Sequence, residues 1–79
     1  MSNLESYKKV FLEALMIQEN QLEDLKYQDV DEWDSVGHMS LMSALEEVFE
    51  IEMDIDDIID FSSYKKGKEL MMKYDVEIN

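Results

Sequence analysis

The sequence predicts an all-α protein: a small four-helix bundle, three longer helices and one short, with a long loop between the first and second. Three observations lead there. The chain has no Pro and only Gly37 and Gly67, so the punctuation that hairpins need is missing. Apolar residues recur at spacings of three and four in several segments. Between two of these segments, residues 19–34 (ENQLEDLKYQDVDEWD) lose the period. A length of 79 residues fits a single domain, 1–79, with residues 75–79 as a fraying tail.

The first helix is expected from about Asn3 to Gln18. Ser2-Asn3-Leu4-Glu5 has capping-box spacing, and Leu4, Tyr7, Phe11, Ala14 and Leu15 make one apolar face. A loop as long as 19–34 is uncommon unless it works or is pinned. Leu22, Leu25, Tyr27 and Val30 are the candidate pins, and Trp33 is expected to pack where the loop ends. The second helix is expected to begin at or just before Ser35 and to reach about Phe49. Its core stripe is Leu41, Met42, Leu45, Val48 and Phe49. Its other face carries Val36, Met39, Ser43, Glu46, Glu47 and Glu50. After a connection over residues 50–54, Asp54 can cap a brief third helix through Asp60, with Ile55, Ile58 and Ile59 apolar. Ser62 or Ser63 can cap the fourth, Tyr64 to about Tyr74, whose apolar positions are Tyr64, Leu70, Met71 and Tyr74. Gly67 costs helix propensity there, and a close helix–helix approach is one use for it.

Charge restricts function. Seven lysines stand against twenty acids, a formal net charge of −13. Nucleic acid and anionic membrane surfaces repel such a chain, and proteins with basic patches are its natural partners. No apolar run approaches a membrane span, and no secretory signal pattern opens the sequence. With no Cys there is neither a disulfide nor a thiolate metal site. A soluble cytoplasmic protein is the simplest reading.

Ser35 lies at or near the start of the second helix, where free N–H groups and the helix dipole favour a negative group on the side chain. An ordinary N-cap serine is the plainer use of the same position. The face below it, apolar at Val36 and Met39 and acidic at Glu46 and Glu47, is patterned like a docking surface rather than a uniformly solvated one. Packing of Val36 and Met39 over the loop end is the alternative.

Catalysis and metal binding fare poorly. The one histidine, His38, falls toward the edge of the core stripe, away from the outer face of Ser35. A triad would also need a third group and an oxyanion hole. His38 reads as a packing or capping residue. DVDEWDSVGHMS has Trp33 at the fifth loop position, Asp34 where calcium loops need Gly, and Ser40 where they need Glu. DIDDIIDFSSYK lacks the same Gly and Glu, so neither is an EF-hand loop. A phosphate-cradling Gly-rich loop and a basic-aromatic patch are also missing.

Residues 33–63, WDSVGHMSLMSALEEVFEIEMDIDDIIDFSS, resemble the acyl carrier protein family. Asp34-Ser35-Val36 matches the attachment motif, and Ala44-Leu45-Glu46-Glu47 with Phe49 matches the end of the second helix. A weaker helical likeness runs from about Leu4 to Tyr74. The resemblance implies a four-helix bundle with a long first loop. It implies that Ser35 carries 4′-phosphopantetheine through a phosphodiester, installed from coenzyme A by an Mg²⁺-dependent phosphopantetheinyl transferase. The arm would hold an acyl or aminoacyl group as a thioester, so the protein would be a monomeric carrier without catalysis of its own. Asp34 and Val36 would flank the anchor and meet the transferase. Met39 would be an apolar contact, and Glu46, Glu47, Asp56 and Asp57 would meet basic patches on loading ligases, acyltransferases and synthases. Gly37-His38 and Ser40 depart from fatty-acid carriers, which are more acidic there, and the Gly-Gly that precedes Asp-Ser in peptidyl carriers is missing. The wording WDSxGHM is closer to free-standing carriers of specialised or surface-polysaccharide pathways. An acidic helical adaptor without a prosthetic group, or a small hydrolase using Ser35, are the competing readings.

Overall fold

The computed structural model describes residues 2–78. Four helices follow one another: α1 (Asn3–Leu15), α2 (Ser35–Phe49), α3 (Ile55–Asp60) and α4 (Tyr64–Met72), with a one-turn 3₁₀ helix (Glu19–Gln21) between α1 and α2. Among the described residues there is no strand, only an isolated antiparallel bridge between Lys26 and Ser63.

Local chemistry accounts for the helix starts. Ser2 Oγ accepts the Glu5 N–H (3.1 Å), Asp34 Oδ1 that of Gly37 (2.8 Å), and Ser63 Oγ that of Lys66 (2.9 Å). Each satisfies an orphan donor of a first turn, typically worth about 1 kcal/mol. Asp54 is the N-cap of α3 as expected, but its side chain makes no cap bond. Its carbonyl accepts from Asp57 and Ile58 instead.

The ends of α2 and α3 fall where expected, at Phe49 and Asp60, and those of α1 and α4 differ. α1 stops at Leu15 rather than Gln18, because Met16 turns left-handed (φ 55°). α4 stops at Met72 rather than Tyr74, and residues 73–75 form a turn that closes at Asp75 (φ 63°). The tail through Ile78 does not fray: the Val76 N–H bonds back to the Met71 carbonyl, and Val76 and Ile78 are buried. The expectation for Asn79 lies outside the described residues.

The core is aromatic at its centre. Phe11 touches Tyr7, Trp33, Phe61 and Tyr64 with ring centroids 4.9–6.1 Å apart. α1 packs on α2 through Tyr7, Val10, Phe11 and Leu15 on one side and Leu41, Met42 and Leu45 on the other. Gly67 is buried at the α1–α4 approach, where a Cβ would overlap Phe61 Cζ and Tyr7 Oη. The Tyr7 hydroxyl donates to the Tyr64 carbonyl (2.8 Å). Burial, and then the nearby Tyr64, raise its pKa well above the ordinary phenol value, and burial lifts Tyr64 to about 12.

Most, not all, of the candidate pins hold the loop. Leu22, Leu25 and Trp33 are buried and Val30 half-buried, while Tyr27 remains at the surface. Its backbone is tied to the α3–α4 junction by Tyr27 N–H to Ser62 O (2.9 Å) and Tyr64 N–H to Leu25 O (3.0 Å). Two core assignments fail. Val48 is half-exposed and lines a groove between α1 and α2 together with Val10, Ala14 and Ala44. Ile55 and Ile59 are more than 70% exposed, because one short helix cannot bury three isoleucines and only Ile58 turns inward.

Candidate functional site

Ser35 is the first residue of α2, one position inside the cap, and Asp34 is the cap itself. The serine is exposed, and no hydrogen bond among the described residues uses its hydroxyl. It is therefore not the N-cap serine of the plainer reading. The Gly37 and His38 N–H groups are taken by the Asp34 side chain and carbonyl, whereas those of Ser35 and Val36 have no backbone acceptor among the described residues. The positive end of α2 thus opens beside the free hydroxyl.

What holds this turn in place is the preceding loop. The Glu32 carbonyl lies so close to Gly37 that any Cβ there would overlap it. Trp33, fully buried, donates its indole N–H to His38 Nδ1 (2.9 Å), and the two rings stack at 6.2 Å and 16°. His38 Nε2 lies 2.7 Å from the Ile58 carbonyl. An indole can only donate and a carbonyl only accept, so His38 must be neutral with its proton on Nε2. Both ring nitrogens are thereby occupied, and neither serves Ser35.

Ser35 and Met39 stand on a ridge between two depressions. One is an apolar cleft of about 550 Å³ between α2 and α3, lined chiefly by Tyr27, Met39, Ile55, Ile58, Ile59 and Phe61. The other, about 640 Å³ and shallower, follows the outer face of α2 past Val36, Ser40, Ser43 and Glu47. Val36 and Met39 are 75% and 53% exposed, which removes the alternative that they merely cover the loop end.

The acids divide. Glu47 and Asp56 are exposed. Glu46 is half-buried and its Oε2 accepts the Met53 N–H (2.8 Å), holding the chain that leaves α2, so it is not a free surface charge. Asp57 is a correction to the expected contact set: it is buried. Its carboxylate accepts from Lys73 Nζ (2.7 Å) and from the Tyr74 hydroxyl, bonding α3 to the end of α4. Those two hydrogen bonds, that of Lys73 first, hold its pKa below the usual carboxylate value. Asp57 in turn raises Lys73, while burial and then Asp57 raise Tyr74.

Sequence reasoning missed three features here. The Trp33–His38–Ile58 chain spans a loop and two helices, so no periodic pattern links its members. The contact of Glu32 with Gly37 is a backbone matter without a residue signature. The exposed isoleucines of α3 were visible only as apolar residues, and apolar character alone points inward. No helix is long and apolar enough to cross a membrane, and no cluster of potential metal ligands occurs among the described residues. No protein-family model, no curated protein and no solved structure matches this chain.

Proposed function

We propose that this chain is a carrier protein of the acyl or aminoacyl type, with Ser35 as the anchor for 4′-phosphopantetheine. The observation that carries the reading is the state of the Ser35 hydroxyl. It is exposed, free of internal bonds, and stands beside unpaired N–H groups at the start of a fifteen-residue helix. A phosphodiester there would find electrostatic support from α2 without displacing any protein bond. The prosthetic arm would supply the terminal thiol that holds the cargo, which the Cys-free chain lacks.

The protein's own residues would present and position. Asp34 holds the first turn through the Gly37 N–H, and Val36 and Met39 give a transferase an apolar foothold next to the hydroxyl. Glu47 and Asp56 would meet basic groups on loading and acceptor enzymes. In this reading the four helices form the bundle of a carrier, monomeric and cytoplasmic, with the pinned loop delivering the chain to its anchor. The hydrolase reading loses its base, since both nitrogens of the chain's one histidine are engaged elsewhere. The adaptor reading draws on the same exposed apolar residues and acids, and differs in leaving Ser35 unmodified.

Incubation with coenzyme A, Mg²⁺ and a broad-specificity phosphopantetheinyl transferase separates the two. Mass spectrometry should show one added phosphopantetheine, absent from Ser35→Ala. A folded protein that no competent transferase modifies would overturn the carrier reading and leave the adaptor.

A further inference from the structure

The Trp33–His38–Ile58 chain is more than packing, because it tolerates one protonation state. Nδ1 accepts from a fully buried indole N–H, and Nε2 donates to the Ile58 carbonyl. A second proton on the ring would have to sit on Nδ1, facing the indole N–H at 2.9 Å. Two donors would then oppose each other, and the Trp33 N–H would be left buried without an acceptor.

The bond at stake joins two parts of the fold, and the Nε2–H bond to the Ile58 carbonyl, which protonation leaves in place, ties in a third. Trp33 belongs to the loop, His38 to the first turns of α2, and Ile58 to α3. His38 also lines the apolar cleft on whose rim Ser35 stands. We propose that His38 is a proton-sensitive latch: neutral, it ties the loop to the start of α2 through Trp33, and protonated, it lets go of Trp33 while keeping its bond to α3, which frees the loop that leads to Ser35. This role is independent of whether Ser35 carries a group.

The surroundings contain no rival for the proton. Rings in contact with His38 are those of Trp33, Phe61 and Tyr27. Of the carboxylates on neighbouring elements, Asp34 is committed to the Gly37 N–H and Asp57 to Lys73 and Tyr74. Asp31 and Glu32 on the loop, and Asp56 and Asp60 on α3, are exposed and make no hydrogen bond to the ring among the described residues.

Trp33 is the chain's only tryptophan, so its indole N–H gives one resolved signal in a ¹H–¹⁵N spectrum of the full chain. Its exchange with water should quicken by about tenfold when the sample is taken from about pH 8 to about pH 5, the factor expected from orphaning one buried donor, after correction for intrinsic exchange. His38→Gln keeps an acceptor for the indole and a donor for Ile58 and cannot be protonated, so it should fold and show no such response. Ring ¹⁵N shifts of wild-type His38 should report the Nε2–H tautomer at high pH, a measurement that stands even if the variant folds poorly. A wild-type ring in the Nδ1–H tautomer, an indole signal indifferent to His38 protonation, or an equal response in His38→Gln would each overturn the latch.

Discussion

Gly37 and Gly67 are the chain's two glycines, and each sits where a methyl group has no room. At Gly37 the obstacle is backbone, the Glu32 carbonyl, which cannot swing aside as a side chain can. Alanine would gain up to about 1 kcal/mol of helix propensity there. Overpacking of a tight site costs about 1–3 kcal/mol, and here the clash should win. Gly37→Ala is therefore expected to lower the unfolding free energy by a net of about 1 kcal/mol or more, read as a lower urea midpoint. A midpoint equal to wild type would mean that the loop does not press on α2 as described. Neither glycine has a left-handed backbone, so the usual local reason for placing a glycine does not apply. Close approach is a tertiary fact, and only Gly67 hinted at it by weakening a helix it had no local reason to enter.

Single elements explain what the sequence disclosed and what it withheld. Helix starts were legible because Ser2, Asp34 and Ser63 act through their own side chains. Helix ends were legible for α2 and α3, which stop at Phe49 and Asp60 as expected, but not for α1, where Met16 takes the left-handed C-cap position that glycine usually marks (φ 55°), nor for α4, which stops at Met72. At the candidate site, Ser35, Val36 and Met39 stand exposed where helical spacing put them, while Asp57 turned inward because α4 offered Lys73 and Tyr74 as partners. Nothing in the spacing of IDDIID separates Asp56 from Asp57. The bond between α3 and α4 has a consequence in acid. Asp57 is held below the ordinary carboxylate value of 3.8, so its stabilising contribution is whole above that pH. It is lost as pH falls through the lower value of the folded state, because the unfolded chain takes up the proton first. Asp57→Asn should lower stability at neutral pH and flatten the acid limb of a urea-midpoint profile below about pH 4. An unchanged acid limb would place the titration elsewhere among the carboxylates.

At the scale of the molecule, charge is distributed by region. Twelve acids and no lysine lie from Tyr27 to Ser63, whereas the remaining eight acids share their segments with all seven lysines. Ion pairs among the described residues follow the same division: Lys8–Glu19, Lys9–Glu13 and Lys65–Asp24 lie wholly outside 27–63, and only Lys73 reaches across, to Asp57. The stretch containing the loop end, α2 and α3 is thus almost uncompensated, and it is the stretch that exposes Ser35, Val36, Met39, Ile55 and Ile59. Such a field accelerates encounter with basic partners and fades as salt shortens the screening length to about 10 Å at 0.1 M. The two neighbouring glutamates of α2 make this testable, because one is free and the other is tied. Glu47→Lys should slow loading by a basic transferase by about threefold to tenfold at low ionic strength, mostly through the association rate, with the gap closing as salt rises. Glu46→Lys removes the acceptor of the Met53 N–H, so it should lower the urea midpoint as well, and salt should not restore that loss. Two variants with the same stability and the same salt-erased defect would show that Glu46 acts only as surface charge. A Glu47→Lys protein loaded at the wild-type rate in low salt would remove steering by α2 altogether.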